Sequence, residues 1–419
     1  MNNATIRSDV REQLEQIGRA DIVVGIPSYN SAHTIGHVVR AVQAGLAKYF
    51  PSHKAVIVNS DGGSSDGTMD MVRKTSIEDF NAILLHHRVE PAYKLAFPYS
   101  GIPGKGSAFR SIFEIARTLN AKACAVVDSD LRSITPEWIE LLVKPVLEGG
   151  VDYVSPLYHR HKFDGTITNS IVYPLTRALY GKRVRQPIGG DFGFSGRLAR
   201  FYLTKDVWES DVARFGIDIW MTTTAIANGF KVTQSFLGAK IHDAKDPGTD
   251  LSNMLYQVVS ATFELMDAYA GVWMPIRGSE PVAAFGFEYS VGLEPVNVNI
   301  ARMLNIFREG LRNLGEIWRD ILGAGDFGEV ERVGALADGE FYFPIGLWTR
   351  VIYDYALAFH KRKLPVEHLI KSMTPLYVGK TASFILQARD MGQQEAEAEI
   401  EKLCMEFESN KDYLVSNWN

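Results

Sequence analysis

The chain has 419 residues, of which 46% are hydrophobic and 22% charged, with a net charge of −5 and two cysteines, Cys124 and Cys404. That length and composition exclude a disordered chain and favour two domains, or one large domain with an extension. The acidic balance without a basic tract argues against a nucleic-acid partner. No apolar run approaches the ~18 residues of a membrane helix, residues 1–20 lack the apolar centre of a signal peptide, and two lone cysteines suit a reducing compartment; a soluble cytoplasmic protein is expected.

Along the chain, Ile22 to Ile26 reads as a buried strand that ends at Pro27-Ser28-Tyr29-Asn30. Thr34 to Phe50 has helical spacing, with Ile35, Val38, Val39, Val42 and Leu46 on one face. Ala55 to Asn59 is a second strand closed by Ser60-Asp61-Gly62-Gly63, and Ser65 or Asp66 can cap the helix that follows. Ala82 to Leu85 reads as a third strand, Ser107 to Leu119 as a helix and Ala123 to Val127 as a fourth strand. Strands and helices alternating at this spacing predict an α/β fold with a mostly parallel sheet, whose ligand crevice lies at the carboxyl ends of the strands. Further on come a strand at Tyr153 to Pro156, a helical pattern from Asn169 to Tyr180 and the glycine-rich run 187–193. An amphipathic stretch around Ile217 to Ala227 and a strand from Lys231 to Phe236 follow. Beyond about Pro247 the pattern turns helical, at Leu251–Ala268, Ile300–Leu322, Leu347–Lys361 and Glu395–Phe407, with 278–295 as a poorly patterned connector. The expected division is therefore 1–246, with a nucleotide-binding half at about 20–131 and an acceptor half at about 151–246, followed by a helical region at 247–419. The stripe Leu304, Ile306, Phe307, Leu311 and Leu314 needs a surface to cover, and a subunit or domain contact, such as a homodimer, is the expected use.

Four constellations carry chemistry. Asp128-Ser129-Asp130 directly follows an apolar strand, where two carboxylates become favourable if a divalent cation takes up their charge; hard oxygens suit Mg²⁺ or Mn²⁺, which also bridges phosphates. A lone Asp-x-Asp is common, and a solvated strand end is the plain alternative. Asn59 to Thr68 joins a strand to a helix through a polar glycine turn, in which Asp61 could accept from a base or ribose or simply hold the turn. Lys105, between Gly104 and Gly106 at a helix start, suits phosphate, although the P-loop pattern is absent. His242, after the last strand, would serve as a further ligand to a carboxylate-bound metal.

In their order these pieces resemble the retaining GT-A glucosyl-3-phosphoglycerate synthases and the related glucosylglycerate and mannosyl-3-phosphoglycerate enzymes. The matching residues are Pro27 to Asn30, Ser60-Asp61-Gly62, Gly104-Lys105-Gly106, Asp128 to Leu131, Gly189-Gly190-Asp191 and His242, within roughly Asp21 to Pro247. The resemblance implies that Pro27, Tyr29, Asn30, Ser60 and Asp61 hold the nucleoside of a nucleotide-sugar donor. Lys105 would then touch the diphosphate, and Asp128 would face the ribose or sugar and join the metal ligands. It also implies that Asp130 and His242 bind the metal and that the backbone of Gly189 and Gly190 approaches the donor sugar. Asp191 stands where the family usually has Glu, and with Asp218 it is the carboxylate to test for a catalytic role. The family's acceptor loop reads Gly-Arg-x-Thr; here it is Gly165-Thr166-Ile167-Thr168, so a hydroxyl replaces the guanidinium, and Arg160, His161 or Lys162 could take its place.

The expected function is transfer of glucose or mannose from a nucleotide sugar to glycerate or 3-phosphoglycerate, with retention and a divalent metal. Small-molecule substrates are the expected partners, with no nucleic acid and no membrane. The alternatives are an inverting family-2-like transferase acting on a polysaccharide or lipid, and a sugar nucleotidyltransferase.

Overall fold

A computed structural model describes residues 8–75, 93–99, 104–210, 216–241, 252–288 and 296–418. The chain begins with α1 (Ser8–Ile17), β1 (Ile22–Ser28), α2 (Ile35–Tyr49), β2 (Ala55–Asp61), α3 (Thr68–Lys74), β3 (Tyr93–Pro98), α4 (Lys105–Thr118) and β4 (Ala123–Val126). It continues with α5 (Pro136–Leu147), β5 (Tyr153–His159), a π-helical turn (Thr168–Val172), α6 (Tyr173–Tyr180), β6 (Lys182–Arg183), β7 (Phe192–Ser195), α7 (Gly196–Tyr202), α8 (Ile217–Ala227) and β8 (Val232–Ala239). Last come α9 (Ser252–Ala268), α10 (Ala270–Trp273), β9 (Glu280–Pro281), β10 (Ala284–Phe285), α11 (Ile300–Gly334), α12 (Ile345–His360), α13 (Val366–Ala388), α14 (Gln393–Ser409) and α15 (Lys411–Trp418). Among the described residues no helix is long and apolar enough to cross a membrane.

Two compact units result. The first comprises Met1–His159, Gln186–Asp243 and Val282–Leu293; the second comprises Arg160–Arg185, Ala244–Pro281 and Glu294–Asn419. The division is not one cut near residue 246, because the segment 160–185 leaves the sheet unit and packs with the C-terminal helices.

The first unit is built on an eight-stranded sheet in the order β10-β8-β5-β7-β4-β1-β2-β3. All its pairings are parallel except those of β7, which runs antiparallel to both β4 and β5. The β-branched run of β1 is buried on both faces, as a central parallel strand requires. Ile22, Val24 and Ile26 face a core shared with Val38 and Val42 of α2 and with Trp138 and Leu142 of α5. On the other face α4 comes so close that a Cβ on Gly25 would lie 2.5 Å from Ile112 Cδ1. The mostly parallel α/β sheet expected from the sequence is thus present. The strand expected at Ala82 to Leu85 lies outside the described residues, and β3 at Tyr93–Pro98 forms the sheet edge beside β2. Ala284 and Phe285, in the stretch read as a connector, extend the opposite edge by pairing with Gln234 and Ser235.

The second unit is helical, with a two-stranded sheet of β6 and β9. Its centre is aromatic: the Phe307 ring lies 6.3 Å from Trp318, 5.5 Å from Phe341 and 6.0 Å from Phe343. Leu304 and Phe307 are fully buried against their own unit, so the apolar stripe that suggested a homodimer is already covered along that part. The Arg177 guanidinium of α6 is buried and bonds to Glu401 at 2.5 and 2.8 Å and to Glu408 at 2.6 Å, which ties α6 to α14. The π-helical turn leads directly into α6, in place of one continuous α-helix over 169–180.

Candidate active site

The site forms where the carboxyl ends of β1, β2 and β4 lie side by side, with Pro27 in register with Ser60 and Ser28 with Asp61. Hydrogen bonds lace the three loops together. Ser28 Oγ and Ser64 Oγ donate to Asp61 Oδ1 at 2.9 and 2.7 Å, and the amides of Gly63 and Ser64 donate to Oδ2 at 2.9 and 2.7 Å. Asn30, in a left-handed conformation at φ 48°, accepts the Ser65 amide through its side chain and donates its own amide to Ser64 Oγ. The third loop joins through Ser31, whose hydroxyl lies 2.9 Å from Ser129 Oγ, and through Thr34 Oγ1, which donates to the Ser129 carbonyl at 2.7 Å.

These bonds revise two expectations. Both oxygens of Asp61 accept two hydrogen bonds each, which is the full capacity of a carboxylate, so Asp61 organises the turn and has none left for a ribose. Ser60 is fully buried, with no hydrogen-bond partner for its hydroxyl among the described residues. In the loop after β1, Tyr29 and Asn30 are the exposed residues, Tyr29 at 66%.

Beside the loops sits a network of charges. Lys105, the first residue of α4, contacts Asp128 Oδ1 at 2.8 Å and Asp218 Oδ1 at 3.2 Å. Lys240, just past β8 and buried, donates to Asp128 Oδ2 at 2.7 Å, Asp191 Oδ2 at 2.8 Å and the Gly189 carbonyl at 2.8 Å. Asp191 is fully buried, and it also accepts the Asp128 amide at 2.7 Å and the Tyr158 hydroxyl. The sequence reading therefore brought together Lys105, Asp128, Asp191 and Asp218, and it missed Lys240 and Tyr158. A cation at the end of an apolar strand is as costly as a carboxylate there, and that signal could have found Lys240.

The electrostatics follow from this packing. Burial raises the Asp128 pKa, but Lys105 and Lys240 outweigh it and hold the carboxyl well below the usual range. Burial also raises Asp191 and Asp218; Lys240 opposes it at Asp191 and Lys105 at Asp218, and in both burial prevails. Burial alone would lower the Lys105 pKa, yet Asp128 and Asp218 raise it, so it stays an ammonium. Three carboxylates against two ammonium groups leave one negative charge uncompensated when all are ionised.

The two glycines before Asp191 answer to this network. A Cβ on Gly190, which has φ 89°, would fall 2.3 Å from Asp128 Oδ2, and a Cβ on Gly189 would fall 2.3 Å from Pro156 Cγ. Packing against Asp128 and Pro156 therefore already demands glycine there, before any approach to a sugar is considered.

Asp128 has each oxygen engaged by one ammonium, Oδ1 by Lys105 and Oδ2 by Lys240. Asp130 is exposed at the same strand end. Ile241 bonds to Arg132 and Ser133 at 2.9 Å each, and the next residue, His242, lies outside the described residues. Among the described residues no three His, Cys, Asp or Glu side chains are grouped to hold a metal. The expected acceptor residues, Arg160, Gly165, Thr166 and Thr168, all belong to the helical unit. There Thr166 and Thr168 are buried, Thr166 Oγ1 lies 2.5 Å from the Tyr377 hydroxyl, and Arg160 faces Asp164 at 3.4 Å.

No known protein-family profile matches the chain, and no curated protein does. Solved structures with partial likeness include those of glucosyl-3-phosphoglycerate synthase from Mycobacterium tuberculosis. Its complex with Mg²⁺ and uridine diphosphate is 20% identical, with a TM-score of 0.44 over 62% of this chain and 83% of that one. Its complex with Mn²⁺, uridine-diphosphate-glucose and phosphoglyceric acid is also 20% identical, with a TM-score of 0.43 over the same shares. These structures come from the group of enzymes that the motifs resemble; the fold assignment rests on the sheet order described above.

Proposed function

We propose that the chain is a GT-A hexosyltransferase that moves glucose or mannose from a nucleotide sugar to glycerate or 3-phosphoglycerate, with retention at the anomeric carbon. One observation carries the reading: the loops after β1, β2 and β4 are laced into a single rim beside a partly open cation, Lys105, at a helix N-terminus. A diphosphate suits both the ammonium and the positive end of that helix start. Lys105 can exchange its contact with Asp218 for a diphosphate oxygen while Lys240 keeps Asp128 fixed. The exposed ring of Tyr29 offers a stacking surface for the base. A divalent cation, held by Asp130 and the diphosphate with His242 as the further ligand, would neutralise the leaving group, since Mg²⁺ commonly binds through one or two carboxylates plus phosphates. Asp191, fully buried, acts in this reading as a positioning residue that holds the Asp128 amide and Lys240.

The test is a screen of UDP-, GDP- and ADP-hexoses with Mg²⁺ or Mn²⁺ against glycerate and 3-phosphoglycerate, with the product anomer determined. An inverted product would favour the family-2-like alternative. Pyrophosphate released from a nucleoside triphosphate and a sugar phosphate, with no glycoside formed, would favour a nucleotidyltransferase. Glycerate is expected to compete well with 3-phosphoglycerate, because Thr166 supplies no cation where related enzymes place Arg; a lost charge-assisted bond corresponds to about ten- to a hundredfold in affinity.

A further inference from the structure

The helical unit contains a cleft of about 480 Å³, including its open mouth, between the π-helical turn and α12, α13 and α14. Its apolar walls are Ile345, Phe384, Ile400 and Leu403, and its polar groups include Asn169, Gln387, Lys380 and Thr381.

Lys380 is the anomaly. Its side chain is 3% exposed, and its ammonium makes one hydrogen bond, to the Phe343 carbonyl at 3.0 Å, with the Glu399 carboxylate acting on it through space. The same unit supplies a contrast in Lys411, equally buried at 4% exposure, which donates to the carbonyls of Leu179, Trp273 and Ile276 at 3.2, 2.7 and 2.9 Å. Lys411 is a buried ammonium with all three donors used. Lys380 has two unused donors, and it borders a cleft. Next to it, Thr381 Oγ1 is buried beside the Tyr377 hydroxyl, which bonds to Thr166. A buried charge is costly unless it is paired and hydrogen-bonded, so Lys380, with donors to spare at the cleft, is set to take a further acceptor.

We propose that this cleft binds a small organic monocarboxylate, whose oxygens accept from Lys380 and Thr381 and whose carbon chain rests on the apolar walls. Charge selects one negative unit. Glu399, on the same wall, is paired with Lys402 at 2.5 Å, so Lys380 is the lining cation left for the ligand, while the Glu399 carboxylate disfavours a dianion. Burial lowers the Lys380 pKa to about 8, so the group is mostly charged at neutral pH, and a bound anion would raise that value. The cleft lining includes Thr166, which the transferase reading assigns to the acceptor, so the test is run without donor and reads binding through Lys380.

The test uses the full chain without any nucleotide sugar, titrated by calorimetry with sodium lactate and sodium glycerate, with glycerol as the uncharged comparison and inorganic phosphate as the dianion. Saturable binding of the monocarboxylates, with phosphate and glycerol at least tenfold weaker, is expected. Lys380→Met should weaken the carboxylates by at least tenfold, the size of a charge-assisted bond, whereas Lys371→Met, exposed and outside the cleft lining, should not weaken them. Should Lys380→Met fail to fold, protection of Lys380 from reductive methylation by lactate in the wild-type chain provides the second readout. The proposal is overturned if lactate and glycerate do not saturate, if phosphate or glycerol binds as well, if Lys380→Met binds as tightly as wild type, or if lactate leaves Lys380 methylation unchanged. A transferase that is inactive in every donor screen yet binds lactate through Lys380 would sink the functional reading and leave this one standing.

Discussion

Replacing Lys240 by Met is the sharpest perturbation of the charge network. Methionine nearly matches the lysine stem in volume, so packing changes little and the electrostatic change dominates. The substitution removes contacts to Asp128 and Asp191 and the bond to the Gly189 carbonyl, leaving Asp191 fully buried with the Tyr158 hydroxyl and one amide as its partners in that network. Breaking a buried ion pair from one side costs about 3–5 kcal/mol, because the remaining charge is stranded. For a unit of this size that corresponds to a melting point lower by about 6–20 °C. The cost should also depend on pH. Asp191 already has a raised pKa, and losing its cation raises it further. A folded state that holds its proton more tightly than the unfolded chain loses stability as pH rises through the carboxylate range, so the variant should suffer more at pH 8 than at pH 5.

A double-mutant cycle isolates the cause. Asp191→Asn alone strands part of Lys240, and combined with Lys240→Met it removes both charges. The double variant should therefore be less destabilised than the sum of the singles, by about 1–3 kcal/mol. Thermal melting of all four proteins at both pH values is the assay. Additive penalties, or a Lys240→Met penalty below about 1 kcal/mol at pH 8, would refute the view that a stranded charge dominates the variant.

Gly190→Ala should cost both stability and turnover, since its Cβ would lie 2.3 Å from Asp128 Oδ2 at a backbone φ of 89°; an unchanged melting point would show that the loop yields freely. Asp61→Asn should raise the donor KM at least severalfold with a smaller change in kcat, because it loosens the turn; an unchanged KM would mean that the lacing does not shape the donor site. Asp130→Ala should raise the metal concentration needed for half-maximal activity without moving the melting point, whereas full turnover at limiting metal would remove Asp130 from the ligand set. The helical unit should become more stable between pH 8 and 10, because the lysine pKa values of about 8 at Lys380 and Lys411 lie below the unfolded value, and the unfolded chain binds more protons in that window. The gain is at most about 3 kcal/mol for Lys380, and Lys380→Met should abolish that part while leaving the part due to Lys411.

The sheet was legible because buried parallel strands are β-branched runs closed by polar glycine turns, as at Val23, Val24 and Ile57. The same rule missed β7, since Phe192-Gly193-Phe194-Ser195 is glycine-interrupted and follows a glycine-rich loop; its identity comes from β4 and β5 on either side. It missed α13 for the opposite reason. That helix is buried nearly all round and contains Pro375, so no apolar stripe separates from a polar face. At the site, residue type told which groups carry charge but not what they face. Asp128 looked like a metal ligand because its spacing from Asp130 is right, and no local pattern indicates that Lys240, more than a hundred residues later, engages it. Segment 160–185 was read with its sequence neighbours, whereas Arg177 takes it to α14 through carboxylates over two hundred residues away.

Two buried lysines end in opposite states, and the difference says where this chain has room for ligands. Lys240 has three acceptors within 2.8 Å and an aromatic ring, that of Tyr158, 5.3 Å from its ammonium. Such a cation is fixed, and it lets Asp128 remain ionised beside the nucleotide loops without help from an incoming metal. Lys105 shares the same carboxylate, but its contacts to Asp218 are longer, at 3.2 and 3.3 Å, and it is partly open. Of the two, Lys105 is the one whose partner can be exchanged at small cost, so donor binding should perturb Lys105 and leave Lys240 unmoved. Site-resolved lysine methylation with and without UDP-glucose reads this directly: protection of Lys105 with no change at Lys240 is expected, and protection at neither would detach the charge network from the donor site.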